Sequence, residues 1–462
     1  MASTDLTAAP APYVGNERYR RPWYWYDWAN SAYVTTTATV ILGPYLTSVA
    51  KKAACPTLPS DATCRTNLHV LGIPIDPGSL FFYTSTAATI ISAVLLVFVG
   101  AIADRSPRPS RLLGGFAWCG ALAATLMFFV TGANWQLGVL LMVVASISLG
   151  ASLVVYDSIL CRIAGPDDRD AVSSRGWAFG YLGGGLLLAL NLVLVVAHDT
   201  FRVSEGMAAR ISLASAGLWW GAFTLVPVIG MWNLRGVERL TVAREASIVG
   251  GSFRQLGSTF AEMREFPQTL RFLLAYLFFN DGIQTVIAAS STYGAEQLKF
   301  SQSQLIQTIL LVQFVAFGGA LLFGRIAGRV GAWRAVLWSL LLWTLIVVLA
   351  FFVPARAYLP FLALAVLIGI VLGGSQALTR SLYSQLIPRS REAEFFSFYQ
   401  AMERGTSWFG MIAFGLVHQW THSYRWAILA LIAFFALGGW LLRRVDVRQG
   451  ILDAGNEVPA VV

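Results

Sequence analysis

LFFYTSTAATIISAVLLVFVGAIADR, residues 80–105, carries no charged side chain until its last two positions, Asp104 and Arg105. A hydrocarbon layer of ~30 Å is crossed by about 20 apolar residues, because each adds ~1.5 Å of helix. The stretch therefore predicts a membrane-crossing helix over 79–103 that ends on a charged pair at the membrane surface. Runs of the same kind recur along the chain. Of its 462 residues 56% are hydrophobic and 12% charged, against about 25% charged in a typical soluble domain. A soluble chain of this length could not bury so much apolar surface in one or two cores. The remaining spans are expected at 25–50, 112–131, 137–161, 177–197, 211–233, 269–289, 304–327, 335–353, 358–378, 397–417 and 425–442. The fold expected is an all-α membrane protein with twelve transmembrane helices. Only the connections 51–78 and 234–268 are long.

The formal charge of +9 is explained by where the positive residues sit, and no nucleic-acid partner is expected. Of the 33 Lys and Arg, 23 fall in segments on the side of the termini and 8 on the opposite side, with Arg271 and Arg404 inside spans. Cytoplasmic loops carry the Lys/Arg excess, so both termini are expected in the cytoplasm, as an even span count requires. Residues 1–22 have no apolar core resembling a cleavable signal, and the first span is expected to direct insertion. The location expected is the cell (plasma or inner) membrane, with a vacuolar membrane as the alternative. Four cysteines are too few for a disulfide framework. Cys55 and Cys64 lie in the same long loop, where a bridge and two free thiols are both open.

The chain repeats itself across its midpoint. Gly100-Ala-Ile-Ala-Asp104-Arg105 is matched 224 residues later by Gly324-Arg-Ile-Ala-Gly328-Arg329, and Pro166 with Arg169 is matched 222 residues later by Pro388 with Arg391. Two matches at nearly one offset predict two six-helix halves related by duplication. The division expected is a tail 1–22, a first half 23–233, a linker 234–268, a second half 269–445 and a tail 446–462. Phe253, Leu256, Phe260 and Met263 recur at helical spacing in the linker, which predicts an amphipathic helix on the membrane surface.

Gly100, Asp104, Arg105 and Arg111 stand in register with the Gly-x-x-x-Asp-Arg motif between the second and third helices of the major facilitator superfamily. Pro107 and Pro109 replace the motif's Gly and Arg. The chain resembles that superfamily here, and the resemblance implies a gating latch: Asp104 set against the positive N-terminus of the eleventh helix. An ordinary charged loop that fixes topology is the plainer reading.

A narrower resemblance begins at Tyr26-Asp27-Trp28-Ala29-Asn30-Ser31-Ala32-Tyr33 and continues through Ser173-Ser174-Arg175-Gly176, Asn280-Asp281-Gly282, Gly373-Gly374-Ser375-Gln376-Ala377-Leu378-Thr379-Arg380-Ser381 and Arg391-Glu392-Ala393-Glu394-Phe395-Phe396. As a set these are similar to the vacuole-effluxer, or unknown major facilitator, family. The chain departs from it at Glu403-Arg404, where Gly-Lys is expected. The resemblance implies a secondary transporter, with amino-acid export known for fungal relatives.

Ionisable groups inside spans cost about 2.5–3.5 kcal/mol each near mid-bilayer and so need partners or a wet path. Asp281, about ten residues inside Arg271 along its helix, falls near the bilayer centre with Asn280 and Gln284. It is expected to bind substrate or couple a proton, or else to pin a neighbouring helix. Asp27 and Asn30 on the first helix, Tyr156 and Asp157 on the fourth, and Gln376 and Arg380 on the tenth are further candidates, with Arg175 as a possible countercharge. Gating, recognition and plain salt bridging stay open for this group. Arg404 cannot shed its charge and is expected to pair with Glu403 or Asp104.

Other features read as structure. Gly176, Gly180 and Gly184 on the fifth helix, and Gly324 with Gly328 on the eighth, are spaced for close packing of those two helices. Trp23, Tyr24, Trp25, Tyr26 and Trp28 read as an interfacial belt. The four histidines fall outside the spans, no metal-ligand spacing is present, and no phosphate-binding loop with its Lys appears. No enzyme, cofactor or metal is expected. The function expected is alternating-access transport of a small solute by a monomer, with proton-coupled amino-acid efflux as the leading form. A drug or lipid exporter and a transport-inactive sensor or scaffold are the alternatives.

Overall fold

The computed structural model describes residues 17–462 apart from 58–63, 65, 71, 236–262, 390 and 406–407. Its helices are α1 (Glu17–Ala32), α2 (Leu42–Ala54), α3 (Leu80–Asp104), α4 (Pro109–Leu126), α5 (Trp135–Ile163), α6 (Arg169–Val196), α7 (Glu205–Gly230), α8 (Pro267–Thr292), α9 (Gln302–Val330), α10 (Ala332–Phe352), α11 (Tyr358–Gln385), α12 (Glu392–Gly405), α13 (Trp408–Thr421), α14 (Tyr424–Leu429), α15 (Ile432–Arg443) and α16 (Val447–Asp453). A short hairpin of β1 (Leu68–Val70) and β2 (Ile73–Ile75) sits in the first long loop. Pro109 and Pro267 open α4 and α8, where the missing N–H has no helical acceptor to lose. Ser301 and Gln304 close a capping box on α9.

Among the described residues, ten helical runs are long and apolar enough to cross a membrane. The first and eleventh passes complete the twelve read from the sequence. α1 and α2 are joined without a break by a π-helical stretch, Tyr33–Ile41, and α12 and α13 share the eleventh pass. Both carry polar and charged side chains, among them Asp27, Asn30, Gln400, Glu403 and Arg404, where the other ten are long and apolar. Side chains such as Ile229, Leu341 and Phe352 point outward and are about two-thirds exposed, as lipid-facing positions should be.

Buried apolar side chains fall into two main clusters. One is drawn almost wholly from the first six passes and the other almost wholly from the last six. The two sets meet along α3 with α12 and along α6 with α9 and α11. Of the predicted amphipathic linker helix, Phe253, Leu256 and Phe260 lie outside the described residues.

Two structural expectations need correction. The glycine stripe of α6 faces α1: a Cβ on Gly176, Gly180 or Gly184 would strike Asp27, Ser31 or Thr35 within 2.7 Å. Helices α6 and α9 do meet, through Gly324 against Ser174 and Gly185 against Gln313. The aromatic cluster is an interfacial belt at most through Trp25 and Trp28, which are half-buried. Trp23, Tyr24 and Tyr26 are buried, and Trp23 stacks on Tyr156 with ring centroids 4.3 Å apart. Trp23 stands four residues before Asp27 and so on the same face of α1, turned inward with it. Cys55 and Cys64 are joined as a disulfide at the end of α2.

Candidate functional site

Between the two sets of six helices lies a cavity of about 530 Å³. It runs from Phe81, Ser290 and Leu305, at the membrane face opposite the termini, down to Asp27, Asp157 and Arg380. Its upper wall includes Tyr33, Val34, Thr35, Ala38 and Thr39 of the π-helical stretch. A π-turn widens the helix and displaces the usual i→i−4 bonds, which is why such turns gather at functional sites. Thr39 Oγ1 accordingly donates to the Val34 carbonyl, five residues back, at 2.9 Å. Most of the wall is apolar, built of residues such as Leu149, Ile309, Val312 and Leu372.

The floor is polar. Arg380 of α11 reaches across to Asp157 of α5 through Nη1 and to Asp27 of α1 through Nη2, each at 3.3 Å. Its Nε donates to Ser173 Oγ at 3.0 Å and its Nη2 also to the Ser173 carbonyl at 3.1 Å. All three nitrogens therefore have acceptors. Tyr156 Oη donates to Asp27 Oδ2 at 2.7 Å, and Gln400 Nε2 to Asp157 Oδ2 at 2.9 Å. The rings of Trp23, Tyr156 and Trp177 surround the guanidinium with centroids 5.0–5.4 Å away, adding cation–π attraction. The three ionised side chains are at most 7% exposed. Desolvating such charges costs several kcal/mol per ion, which is repaid only when the remaining donors and acceptors are satisfied; here all three Arg380 nitrogens and both Asp157 oxygens have partners.

Below this floor the halves are closed on the termini side. Asp104, ending α3, accepts from the backbone N–H of Ala393 at 3.0 Å and of Glu394 at 2.8 Å, the first turn of α12. Four free N–H groups and the helix dipole make that turn a site for negative charge. Gly100 permits the approach: a Cβ there would lie 2.8 Å from the Ala393 carbonyl and from Ser397. Arg169 Nη1 donates to the Ser384 carbonyl at 2.5 Å, Ser173 Oγ to the Ala377 carbonyl at 2.7 Å, and Gln385 Nε2 to the Pro166 carbonyl at 2.7 Å. Ser381 donates to Asp170. The C-terminal segment adds Ala460 N–H to Asp167 at 2.7 Å. The cavity therefore opens on one side only.

Asp27, Asn30, Asp157, Gln284, Gln376, Arg380 and Arg404 all line the cavity. Asn30 also donates to the Tyr26 carbonyl at 2.6 Å, and Gln376 Nε2 to Asn280 Oδ1 at 3.3 Å. Asp281 is not among the lining side chains. It is buried, and its Oδ2 accepts from Gly410 N–H at 2.6 Å, in the first turn of α13. The countercharge for Asp27 and Asp157 is Arg380 from the other half; Arg175 is exposed and lies beside Tyr24. Arg105 is exposed, and Arg111 stacks on Trp232 at 3.9 Å. Asp104 is engaged by α12, so it is no partner for Arg404. Sequence reasoning missed Ser173, Arg169 and Gln400 as site residues. Ser173 lay inside a quoted motif, whereas a lone Gln at a helical position carries no signal.

The model for the family described as "Vacuole effluxer Atg22 like" matches residues 16–455. The chain belongs to that family. An uncharacterized MFS-type transporter of Bacillus subtilis is 29% identical over 95% of this chain and 97% of its own length. Autophagy-related protein 22 of Yarrowia lipolytica is 25% identical over 86% of this chain and 80% of its own. In fold, this effluxer-family chain resembles an outward-facing bacterial homologue of the iron transporter ferroportin, with TM-score 0.63 and 13% identity over 93% of this chain and 98% of that one. It also resembles the Escherichia coli fucose:proton symporter, with TM-score 0.63 and 12% identity over 92% and 97%. The chain is a multi-pass membrane protein with the major facilitator fold, and it is a secondary transporter rather than an enzyme.

Proposed function

We propose that this transporter exports amino acids or similar small metabolites from the cell by proton-coupled alternating access, as a monomer with both termini in the cytoplasm. The carrying observation is Arg380, held at the cavity floor between two carboxylates of the opposite half. Opening the termini side draws α11 away from α1 and α5. That would strand Asp27 and Asp157 in a low-dielectric site without their cation, at several kcal/mol each. A proton taken up by either carboxylate removes its share of that cost. Protonation and opening are thereby linked, which is what coupling requires.

The cytoplasmic placement of the termini is supported by the 23 Lys and Arg on that side against 8 on the other, and by the Cys55–Cys64 bridge on the far side, where an oxidising medium favours it. The family's description as effluxers supports the direction. The test is transport in proteoliposomes with a mixed amino-acid panel, with and without a pH gradient. Asp157→Asn is expected to abolish accumulation against a gradient while exchange at equal concentrations persists. Normal accumulation by a well-expressed Asp157→Asn protein would sink the coupling role.

One observation favours a second reading, an exporter of apolar drugs or lipids: the wall contributed by Leu149, Leu153, Ile309, Val312, Ile368 and Leu372. Under that reading lipophilic cations would compete with, or replace, amino acids in the same assay.

A further inference from the structure

Arg380 is saturated, with an acceptor on each nitrogen. The cavity's other guanidinium is not. Arg404 of α12 lines the cavity, yet its Nε is shielded from solvent and has no hydrogen-bond partner among the described residues. Arg cannot discharge itself, and a buried donor without a partner is destabilising, more so when charged. A position held at that cost points to a partner that arrives from outside.

The surroundings say what partner fits. Arg404 Nε lies 3.3 Å from where a Cβ on Gly150 would be, and the Leu96 side chain lies 3.0 Å from the same point. The guanidinium is therefore wedged between α5 and α3 at the level of Gly150 and Leu96. One turn farther from the termini on each helix, and so on the same face, stand Ser146 and Ser92. Both line the cavity. Ser92 is 1% exposed and its Oγ has no hydrogen-bond partner. Tyr33, also lining the cavity, places its hydroxyl against Ser146, with Arg404 in electrostatic range. Three hydroxyls and a guanidinium whose Nε lacks a hydrogen-bond partner among the described residues thus line the same part of the cavity. Glu403, the next residue along, lies against Tyr276 and in electrostatic range of Arg404, the ion pair expected from the sequence; it offsets part of the charge but leaves Nε without a hydrogen-bond partner among the described residues.

We propose that Arg404, Ser92, Ser146 and Tyr33 form an oxyanion subsite that receives the carboxylate of the transported solute. A guanidinium and hydroxyl donors are the groups that recognise a carboxylate, and the aromatic and aliphatic wall beyond would take an apolar side chain. Arg404 comes from the second half and the three hydroxyls from the first, so a bound carboxylate would bridge the halves. This assignment rests on reading the cavity as an amino-acid site, and it locates recognition apart from the Arg380 floor.

The test is equilibrium binding to the purified full chain of three probes that differ in one group: phenylalanine, 3-phenylpropanoate (no ammonium) and phenethylamine (no carboxylate). The protein is expected to bind the first two and to discriminate against phenethylamine. Arg404→Gln should weaken the two carboxylates by roughly tenfold or more, as loss of a charged hydrogen bond does, without weakening phenethylamine. Arg404→Lys should retain part of the affinity. Ser92→Ala, a mild change that leaves the guanidinium in place, should weaken the carboxylates severalfold and likewise spare the amine. Unchanged phenylalanine binding in folded Arg404→Gln or Ser92→Ala would overturn the subsite while leaving amino-acid transport standing. Phenethylamine bound as well as phenylalanine would also overturn it. Arg404-dependent binding of 3-phenylpropanoate without phenylalanine would uphold the subsite and defeat the amino-acid reading. Binding of none of the three would overturn both.

Discussion

Replacing Asp104 isolates the latch on the termini side. Its two carboxylate oxygens take one backbone N–H each, at 3.0 and 2.8 Å, from consecutive residues of the first turn of α12. A hydrogen bond to a charged group contributes about 1.5–3 kcal/mol, and a negative charge at a helix N-terminus a further ~0.3–1 kcal/mol. Asp104→Asn keeps one acceptor but turns an amide N–H toward a backbone N–H, so one bond and the charge are lost, roughly 2–4 kcal/mol in all. Asp104→Ala loses both bonds, roughly 3–6 kcal/mol. These contacts join the halves and exist only while the termini side is closed, so the loss falls on that state alone. At about 1.4 kcal/mol per tenfold, the open-to-closed ratio should rise roughly 30- to 700-fold for Asn and further for Ala. Ser384, fully buried in the closed gate, gives the reporter: Ser384→Cys in a chain whose free thiols Cys119 and Cys161 have been replaced by Ser. Its rate of labelling by a small thiol reagent should climb by those factors. Equal labelling rates in both Asp104 variants and the parent, with protein still folded, would show that the motif holds topology and nothing more.

Gly100→Val should act in the same direction, because any Cβ there meets the Ala393 carbonyl at 2.8 Å and backbone cannot give way cheaply; the Ser384→Cys labelling rate reads it. Asp281→Asn should preserve both exchange and accumulation and lower stability by about 1–2 kcal/mol, since its carboxylate caps Gly410 N–H; a thermal melt with the transport assay checks it, and lost accumulation with normal exchange would restore Asp281 as the coupling group. An impermeant thiol reagent added to intact cells should label Cys55 and Cys64 after reduction and should not reach Ser106→Cys. Labelling of the Ser106→Cys site alone would invert the proposed orientation.

The fold was legible because its determinants are local. Ten of the twelve passes are long apolar runs, and each announces itself without reference to the rest of the chain. The two that read less cleanly are α1–α2, which passes through a π-helical stretch, and α12–α13, whose first half carries Glu394, Gln400, Glu403 and Arg404. These are also the passes that bring Asp27, Tyr33, Gln400 and Arg404 to the cavity. Polar residues weaken the span signal at the same positions where they are needed to line a wet path.

Pairing was less legible, because it is set by tertiary contact. Asp27, Asp157 and Arg380 were each visible as costly charges in a span, but nothing local says that Arg380 serves both carboxylates from 223 residues or more away. Arg175, nearer in sequence, looked an equal candidate until its exposure removed it. Asp281 shows the converse case. Depth in the bilayer marked it as functional, but depth alone does not say which face of the helix a side chain leaves from, and this one leaves toward α13. The aromatic run at Trp23–Trp28 misled for a related reason. Composition fits a membrane interface, but the neighbouring Asp27 must face its cation, and Trp23 and Tyr26 turn in with it. In each case the physical rule that decided was the same: a buried charge fixes its own partner first, and the residues beside it take the orientations that remain.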